Sequence, residues 1–345
     1  LERSIRSVFA AHGNKQVIVI DDGSTNDILP WLRELAEELP INLHVFTENS
    51  GKREALHYAV THLIDDDVEY IVTIDSDTVI DENAFVLVCA PLAVPGIAAS
   101  TGNVLLLNEK RNLLTRAVGA YYWIGLNIHK QAQSVINSVV CCSGCLSAYR
   151  ADVMRGIIDE FATQVFLGEK CTHSEDRHLT NLVLRQSLGV VYVAEAISWT
   201  ETPFTVKTFT MQQMRWKRGY VRESLMTLSY GWRIKKLLWL QILCWDLTSP
   251  FLSLGVRISF FAILFTKPRY GLILMATWVI LGLMRYSLLP LRAPRKVLGF
   301  FVYLALNEAV LYWVNLWALL TVKNKSWVTR GGKPAVAEPS GAVVF

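Results

Sequence analysis

Short apolar runs alternate with amphipathic helical patterns over roughly the first 200 residues of the chain. Residues 17–20, 42–46 and 70–74 have the length and composition of buried strands. Between these runs, the spacing of apolar positions predicts helices over residues 28–39 and 52–63. This β-α-β-α-β order predicts an α/β fold with a mostly parallel sheet and helices on both faces.

The chain begins with Leu1 rather than Met, and residues 1–11 form an amphipathic helical pattern that meets the first strand almost at once. No signal-peptide pattern precedes it. In an α/β fold such a helix follows a strand. We therefore expect the sequence to start inside a domain with at least one further strand.

The pattern changes near Leu237, where polar positions become rare. Residues 247–265, 271–291 and 297–320 each come close to the roughly 20 apolar residues of a membrane-spanning helix. Residues 237–245 are shorter and rich in Trp, which favours a helix at the membrane interface. Every flank is basic, so the charge pattern leaves the topology open.

These patterns predict a catalytic α/β domain over residues 1–230, interfacial and transmembrane helices over 231–322, and a basic tail over 323–345. Polar residues interrupt the predicted spans at Arg257, Arg285, Asn307 and Glu308. Such residues usually face a bundle interior or a conduit. They would either line a polymer channel or hydrogen-bond helices to one another, and the sequence leaves both readings open.

Composition agrees with a partly membrane-embedded protein. The chain is 52% hydrophobic and 19% charged, with a mean hydropathy of +0.30. The net charge of +4 comes from basic residues clustered beside the apolar segments, which suits anionic lipid or a diphosphate. No dense basic helix or aromatic-basic motif is present, so nucleic acid is not an expected partner.

The six cysteines do not have the spacing of a secreted disulfide framework. Cys142 and Cys145 form a C-x-x-C pair that Cys171 and His173 would complete as four zinc ligands. The alternative is a set of small thiols packed around the turn at Gly144. The absence of a second C-x-x-C pair favours packed thiols.

Acidic and basic clusters follow the predicted strands, at the edge where ligands bind in such sheets. Asp21-Asp22-Gly23-Ser24 offers acceptors for a nucleobase or ribose, or else forms an ordinary Asp-Gly turn. Gly51-Lys52-Arg53 opens a helix, so its amides and two cations would suit a diphosphate, or else form a surface basic pair.

Asp75-Ser76-Asp77 ends the third strand. Alternate residues at a strand terminus can direct two carboxylates at one hard cation, with nucleotide phosphates completing the coordination shell. We therefore expect Mg²⁺ or Mn²⁺ at Asp75 and Asp77, where it would neutralise a departing diphosphate. The same D-x-D spacing also occurs by chance in loops.

Glu175-Asp176 precedes an apolar-periodic helix predicted over residues 177–188. The amides and dipole of a helix N-terminus stabilise a carboxylate as the anion. An ionised carboxylate is what a base needs to deprotonate a sugar hydroxyl as it attacks an anomeric carbon. The alternative is an acidic helix cap with no catalytic role.

Gln212, Arg215 and Trp216 lie at i, i+3 and i+4, so a helix presents them on one face. An indole is a flat platform for a pyranose ring, while Gln212 and Arg215 can hydrogen-bond hydroxyls or phosphate. A Trp at helical spacing is more often part of a core, but this one neighbours several basic residues.

In this order the motifs resemble the processive family 2 glycosyltransferases, and among them the hyaluronan synthases and the nodulation chitin-oligosaccharide synthases. The resemblance spans nearly the whole chain. It is carried by Asp21-Asp22-Gly23-Ser24, Gly51-Lys52-Arg53, Asp75-x-Asp77, Ser143-Gly144-x-Leu146-x-x-Tyr149-Arg150, Glu175-Asp176-Arg177-His178-Leu179-Thr180, Gln212-x-x-Arg215-Trp216 and Trp327-x-Thr329-Arg330.

The resemblance implies a GT-A fold and a role for each motif residue. It puts Asp22 near uracil, Lys52 near the diphosphate, Asp77 on the metal, Asp75 on the ribose or metal, Asp176 as the base, Gln212 and Trp216 at the acceptor end, and Arg215 on the diphosphate. We also expect Glu175 as a second catalytic residue, and Arg53, Trp327 and Arg330 among the substrate-binding residues. Cys145, His173-Ser174 and Val328 depart from the usual Pro, Gly and Gly, which leaves the sugar open.

We therefore expect an inverting processive glycosyltransferase of the plasma membrane with a cytoplasmic catalytic domain. It would extend a β-linked polysaccharide from a UDP-sugar, with UDP-N-acetylglucosamine as the expected donor. One alternative is a non-processive transferase to a lipid phosphate, which would not need Trp216 as a sugar platform. The other is a non-catalytic membrane-anchored protein that binds nucleotide sugars.

Overall fold

A computed structural model describes residues 1–25, 27–285, 288–323 and 342–344 of the chain. The strands are β1 (Val17–Asp21), β2 (Ile41–Val45), β3 (Tyr70–Asp75), β4 (Val79–Ile80), β5 (Ile97–Leu106), β6 (Ser147–Arg150), β7 (Val165–Phe166), β8 (Glu169–Lys170), β9 (Gly189–Thr200) and β10 (Ala342–Val344).

The helices follow the predicted periodicity closely. They are α1 (Glu2–Ala10), α2 (Leu29–Glu38), α3 (Lys52–Tyr58), α4 (Ala84–Cys89), α5 (Leu113–Ile124), α6 (Gln131–Val135), α7 (Ala151–Ala162), α8 (Glu175–Arg185), α9 (Val206–Ile234), α10 (Lys236–Gln241), α11 (Ser249–Thr266), α12 (Pro268–Arg285), α13 (Leu288–Arg292), α14 (Val297–Leu306) and α15 (Tyr312–Leu320). Single π-helical turns continue α3, α5, α10 and α14.

The main sheet is mixed, with the strand order β2-β1-β10-β3-β6-β5-β9-β4. Only the β1–β2 and β5–β9 pairs are parallel among the strands described. β6 runs antiparallel to both β3 and β5. The segment that connects β5 to β6 therefore returns to the same end of the sheet that it left. The expected α/β class is confirmed, but the sheet is mixed rather than mostly parallel.

Both faces of this sheet are covered by apolar side chains, as the alternation along β1 requires. Ile18 and Ile20 belong to a core cluster that includes residues of α3, α7 and α8. Val17 and Val19 point the other way, into a second cluster with residues of α1, α2 and α4. The end of the sheet at which β1 and β3 terminate lies between these two layers.

α9 leads from the sheet domain to the apolar helices. It is 29 residues long, and the Thr205 side chain caps its start by accepting the N–H of Thr208. The predicted boundary between residues 230 and 231 falls inside this helix, so one rigid element belongs to both parts. Near its end a Cβ at Gly231 would lie 3.3 Å from the Cβ of Trp239, so α9 packs closely on α10.

Among the residues that the structure describes, two stretches have the length and composition to cross a membrane, Lys236–Thr266 and Pro294–Leu320. They contain the predicted spans at 247–265 and 297–320. The third predicted span, 271–291, falls on α12 and α13, with residues 286 and 287 outside the described part of the chain. The side chain of Arg285 also lies outside it.

The polar residues of these helices pair with one another. Arg257 on α11 donates from Nη2 to Glu308, at 2.8 Å to Oε1 and 2.6 Å to Oε2. Its guanidinium lies 4.0 Å from the ring centre of Tyr312, and Asn307 donates to Glu308 over 3.3 Å. Of the two readings of these polar positions, the geometry supports a helix-to-helix contact.

Candidate active site

Asp22 anchors the loop after β2. Its buried carboxylate accepts the N–H of Ser50 at 2.6 Å and the N–H of Gly51 at 2.8 Å. Gly23, with φ +65°, packs so closely that a Cβ would lie 2.7 Å from the backbone N of Asn49. Asp22 therefore fixes the conformation from which Lys52 begins α3.

Lys52 lies among three carboxylates from two other elements. Its Nζ donates to Oδ1 of Asp75, and it lies 3.5 Å from Oδ1 of Asp176 and 3.8 Å from Oε1 of Glu175. Burial lowers the pKa of Lys52, but the three carboxylates outweigh it and hold that pKa well above its ordinary value. Together, Lys52 and the three carboxylates carry a formal charge of minus two, so the cluster has an excess of negative charge.

Gly144 closes this cluster from the turn before β6. Its backbone N–H donates to Oδ2 of Asp176 over 2.8 Å. A Cβ at this position would lie 2.5 Å from Nζ of Lys52 and 2.7 Å from Oδ1 of Asp75. Only glycine allows the backbone to approach the three side chains at once.

The pKa values of the two carboxylates in the first turn of α8, Glu175 and Asp176, shift in opposite directions. Burial raises the pKa of Asp176 to about 6, since lost hydration outweighs the help that Lys52 and the Gly144 amide give to the anion. Burial acts on Glu175 in the same direction, but Lys52 and a backbone amide outweigh it and lower its pKa. Asp176 thus has the pKa of a general base that works near neutrality.

The start of α8 is seated on α9 by an unusual contact. Ser174 has a left-handed backbone, with φ +62°, and packs on Gly219. A Cβ at Gly219 would fall 1.6 Å from Oγ and 2.3 Å from Cβ of Ser174. The departure from the usual Gly at Ser174 therefore retains the backbone conformation that glycine adopts without cost.

Gly219 extends the stripe predicted on α9, because it lies one turn beyond Arg215 and Trp216. Trp216 is 37% exposed, and Oε1 of Gln212 is buried without a hydrogen-bond partner. The positive charge of Arg215 acts on Glu175, which puts the stripe beside the first turn of α8. The expected common face is present, with an acceptor atom left for a ligand donor.

A buried carboxylate holds α8 and α9 together. Glu223, fully buried on α9, accepts Nε of Arg222 at 2.9 Å and Nε2 of Gln164 at 2.7 Å. Its other oxygen accepts Nδ2 of Asn181 at 3.1 Å and faces Nδ1 of His178 at 3.2 Å. These bonds fix the angle between the helix that carries the base and the helix that carries Trp216.

Arg53 does not point toward the same groups as Lys52, contrary to expectation, although its positive charge acts on Glu175. Its guanidinium donates to the backbone oxygen of Phe161 and, over 3.0 Å, to Oε1 of Gln164, and it lies 4.5 Å from the ring centre of Phe161. The residue is 7% exposed. Lys52 and Arg53 are consecutive helical positions about 100° apart, so they point to different neighbours.

The D-x-D pair fits a partial ligand set for a hard cation. Asp75 is half-buried and Asp77 exposed at the end of β3. Both act on the half-buried Cys145, where lost hydration and the two negative charges together hold the pKa of the thiol well above its ordinary value. Within the described ranges no group of three or more His, Cys, Asp or Glu side chains could hold a metal alone. A bound phosphate would have to supply further oxygens.

The thiols agree with packing rather than zinc ligation. Cys142 is fully buried, its backbone N–H donates to Thr180, and burial raises the pKa of its thiol to about 12. Cys145 instead faces Asp75, with Sγ 3.9 Å from Oδ2. Trp327 and Arg330 lie outside the described residues.

The sequence did not single out Gly144, Ser174, Gly219 or Glu223 as site residues. Gly144 stands in a motif that carries the resemblance, but the motif does not reveal the role of its backbone amide, and no residue pattern reveals the missing side-chain volume that Gly219 supplies. Ser174 acts through its φ angle. Glu223 follows five basic residues on α9, and a lone acid among them was the signal that could have marked a buried partner.

Comparisons with known proteins agree with this arrangement. The model of a family described as Glycosyltransferase like family 2 matches residues 1–219. An N-acetylglucosaminyltransferase from Sinorhizobium fredii is 30% identical over 334 residues, covering 95% of this chain and 79% of its own. One from Azorhizobium caulinodans is 29% identical over 317 residues, covering 91% and 79%.

A solved structure shows the same fold. It is a mannosyltransferase from Pyrobaculum calidifontis in complex with GDP-Man and Mn²⁺, which has a TM-score of 0.62 and 17% identity and covers 92% of this chain and 83% of that one. The expected GT-A fold is confirmed. The chain belongs to glycosyltransferase family 2, and it is therefore a transferase that uses a nucleotide-sugar donor and an acceptor.

Proposed function

We propose that the protein is a membrane-integrated inverting glycosyltransferase that extends a β-linked polymer, with UDP-N-acetylglucosamine as a donor. The observation that carries this proposal is the environment of Asp176. Its carboxylate has a pKa of about 6, is oriented by the Gly144 amide, and lies at the cluster that ends β3. The names of the relatives support the N-acetylglucosamine unit.

Asp176 acts as the general base. It takes the proton of the acceptor hydroxyl as the hydroxyl oxygen attacks the anomeric carbon, and the bond to the diphosphate breaks on the opposite face. The Gly144 N–H holds Oδ2 of Asp176, and Oδ1, which lies 3.5 Å from Nζ of Lys52, would take the proton. Lys52 stabilises the anionic form before the reaction and keeps Asp176 in place.

Asp75 and Asp77 would hold Mg²⁺ or Mn²⁺ together with the donor diphosphate, and the ion would neutralise the leaving group. The charge of the cluster supports this assignment. Three carboxylates outnumber the single ammonium of Lys52, so a diphosphate entering without a cation would meet net negative charge. The Mn²⁺ in the mannosyltransferase structure supports a divalent ion.

The stripe on α9 would bind the acceptor end. The exposed indole of Trp216 provides a platform for a sugar ring, and the unpartnered Oε1 of Gln212 can accept a hydrogen bond from a sugar hydroxyl. Arg215, close enough to act on Glu175, would contact the diphosphate. The apolar helices from Lys236 onward would anchor the enzyme in the membrane and receive the growing chain.

The test is release of UDP and the size of the product, measured on membranes that carry the full-length protein. UDP-N-acetylglucosamine is supplied with and without UDP-glucuronate. Product from the first donor alone identifies a chitin-type enzyme, and long polymer only with both identifies a hyaluronan-type synthase. If no UDP is released from UDP-N-acetylglucosamine, whether UDP-glucuronate is present or absent, the proposal is contradicted.

Asp176→Asn should lower the rate by roughly 10²–10⁴-fold, the usual contribution of a general base. Asp152→Asn is the matched control, because Asp152 is also an aspartate in the first turn of a helix but is paired with Arg150 at the surface. Equal rates of UDP release for Asp176→Asn and wild type would contradict the assignment of Asp176 as the base. Cellular polymer left unchanged by Asp176→Asn would favour a non-catalytic nucleotide-sugar-binding protein.

Trp216→Ala separates polymer extension from transfer to a lipid phosphate. A polymerase should make shorter product at a lower rate, because a buried stacking contact contributes about 1 kcal/mol or more. Trp232→Ala on the same helix is the control, since Trp232 is also exposed but lies four turns away. Unchanged product with Trp216→Ala would favour the lipid-phosphate acceptor.

A further inference from the structure

A second charged cluster lies behind the catalytic base and contains a residue from the apolar segment. Nη2 of Arg177 is 3.9 Å from Oδ2 of Asp246, and both side chains are buried, at 6% and 3% exposure. The ring centre of Tyr220 lies 3.7 Å from the Arg177 guanidinium, and the Tyr220 hydroxyl interacts with Asp246. Nη2 of Arg177 also donates to Ser224 over 3.1 Å.

Asp246 lies within the first candidate membrane stretch, Lys236–Thr266, in the part that docks on the catalytic domain ahead of α11. Ile242 and Leu238, about one and two turns earlier, are fully buried in the main core cluster. The π-helical turn Ile242–Leu247 follows, and α11 begins at Ser249. Asp246 is thus a charged group at the junction between the folded domain and the apolar helix.

Arg177 connects this junction to the reaction centre. It directly follows Asp176 in the first turn of α8, but its side chain points away from Lys52, toward α9 and Asp246. Oδ2 of Asp246 has no hydrogen-bond partner and Nε of Arg177 has none either. Ser224 and Tyr220 also contact this pair, but the attraction between the two opposite charges is weakly screened in a buried site.

We propose that Asp246 is a positioning residue for the transfer reaction. Through Arg177 it fixes the first turn of α8 against the apolar segment, so that Asp176 reaches its working position only when that segment is docked. This inference rests on the proposed role of Asp176 as the base. It adds that the membrane-proximal helix sets the geometry of the chemistry, beyond anchoring the enzyme.

Asp246→Asn tests the role with little change of shape. In the full-length protein in lipid nanodiscs, kcat for UDP release should fall by about tenfold, because small displacements of a base are costly, while the donor KM stays within about twofold. Asp246→Glu should recover part of the loss. Tyr220→Phe keeps the ring under Arg177 but removes the hydroxyl that interacts with Asp246, and it should also lower kcat.

Hydrogen exchange gives a measurement that does not depend on turnover. Amides of the first turn of α8 should exchange faster in Asp246→Asn, with the rest of the sheet domain unchanged. Glu308→Gln is the matched control, because it breaks a carboxylate–arginine pair between apolar helices away from α8. It should leave the exchange of α8 unchanged.

The inference is overturned if Asp246→Asn leaves kcat and the exchange of α8 unchanged. It is also overturned if exchange rises throughout the domain, since that result means loss of folding. If the wild-type protein releases no UDP, the proposed function fails, and the exchange data alone then decide whether Asp246 positions α8.

Discussion

The backbone N–H of Gly144 donates to the Asp176 carboxylate over 2.8 Å, so a residue without a side chain orients the candidate base. The same residue leaves room for Lys52 and Asp75 to meet, because a Cβ there would lie 2.5 Å from Nζ and 2.7 Å from Oδ1. The turn before β6 therefore determines the geometry of the whole carboxylate cluster.

Gly144→Ala should retain the fold but lower kcat by about 10²-fold, because the new methyl group separates Lys52 from Asp75 and displaces Asp176. Steady-state UDP release measures this effect. Gly156→Ala is the control, since a Cβ there meets nothing within 4 Å and alanine favours a helix interior. Similar activity of the two variants would exclude the orienting role of Gly144.

The rate should depend on the ionisation of Asp176. A base must be deprotonated, so kcat should fall as the pH decreases through about 6, the pKa of Asp176. Lys52→Gln removes a charge that lowers this pKa, and the acidic limb of the profile should move to higher pH. Rates measured between about pH 5 and 8 show the shift.

Lys15→Gln serves as the control for that profile. Lys15 lies 5.7 Å from the ring centre of Phe85, which packs on the opposite face of the sheet from α8. Its removal changes the net charge equally and should leave the acidic limb in place. A limb that is unmoved, or moved to lower pH, in Lys52→Gln would show that Lys52 does not act on the base.

Gly219→Ala should destabilise the protein by about 1–3 kcal/mol, the usual cost of overpacking, because its Cβ would overlap Ser174. Ser174→Gly alone should be neutral or slightly stabilising, since glycine adopts φ +62° without cost. The double variant should regain what Gly219→Ala loses, because the overlapping atoms are gone. Thermal unfolding of the purified variants measures the cycle, and simple additivity would contradict the contact.

Glu223→Gln should destabilise the protein by about 3–5 kcal/mol, because a buried carboxylate that accepts from Arg222 and Asn181 loses its charge. Glu160→Gln is the control at the exposed pair with Arg185, where about 0–1 kcal/mol is expected. Denaturant or thermal unfolding in detergent gives both values. Equal effects would mean that the Glu223 network contributes little to the packing of α8 on α9.

Local patterns predicted much of the fold. The strands at 17–20, 42–46 and 70–74 correspond to β1, β2 and β3, because a buried strand has a local signature. The direction of β6 was not predictable, since a helix between two strands does not reveal at which end of the sheet the next strand begins. Pairing is set by contacts between distant residues, and no local pattern encodes them.

The site was predictable where a residue acts through its own side chain. Asp75, Glu175 and Asp176 were expected at the ends of elements, and the structure brings all three to Lys52. Arg53 was wrongly grouped with Lys52, because sequence adjacency conceals the rotation between consecutive helical positions.

The length of α9 has a mechanical consequence. At 1.5 Å per residue its 29 residues form a rod of roughly 43 Å, with Gln212 and Trp216 near one end and Gly231, against α10, near the other. A rod transmits tilt. Under the proposed membrane integration, a change in bilayer thickness that tilts the docked apolar segment would also move Trp216, and the turnover number would then depend on the thickness of the surrounding lipid.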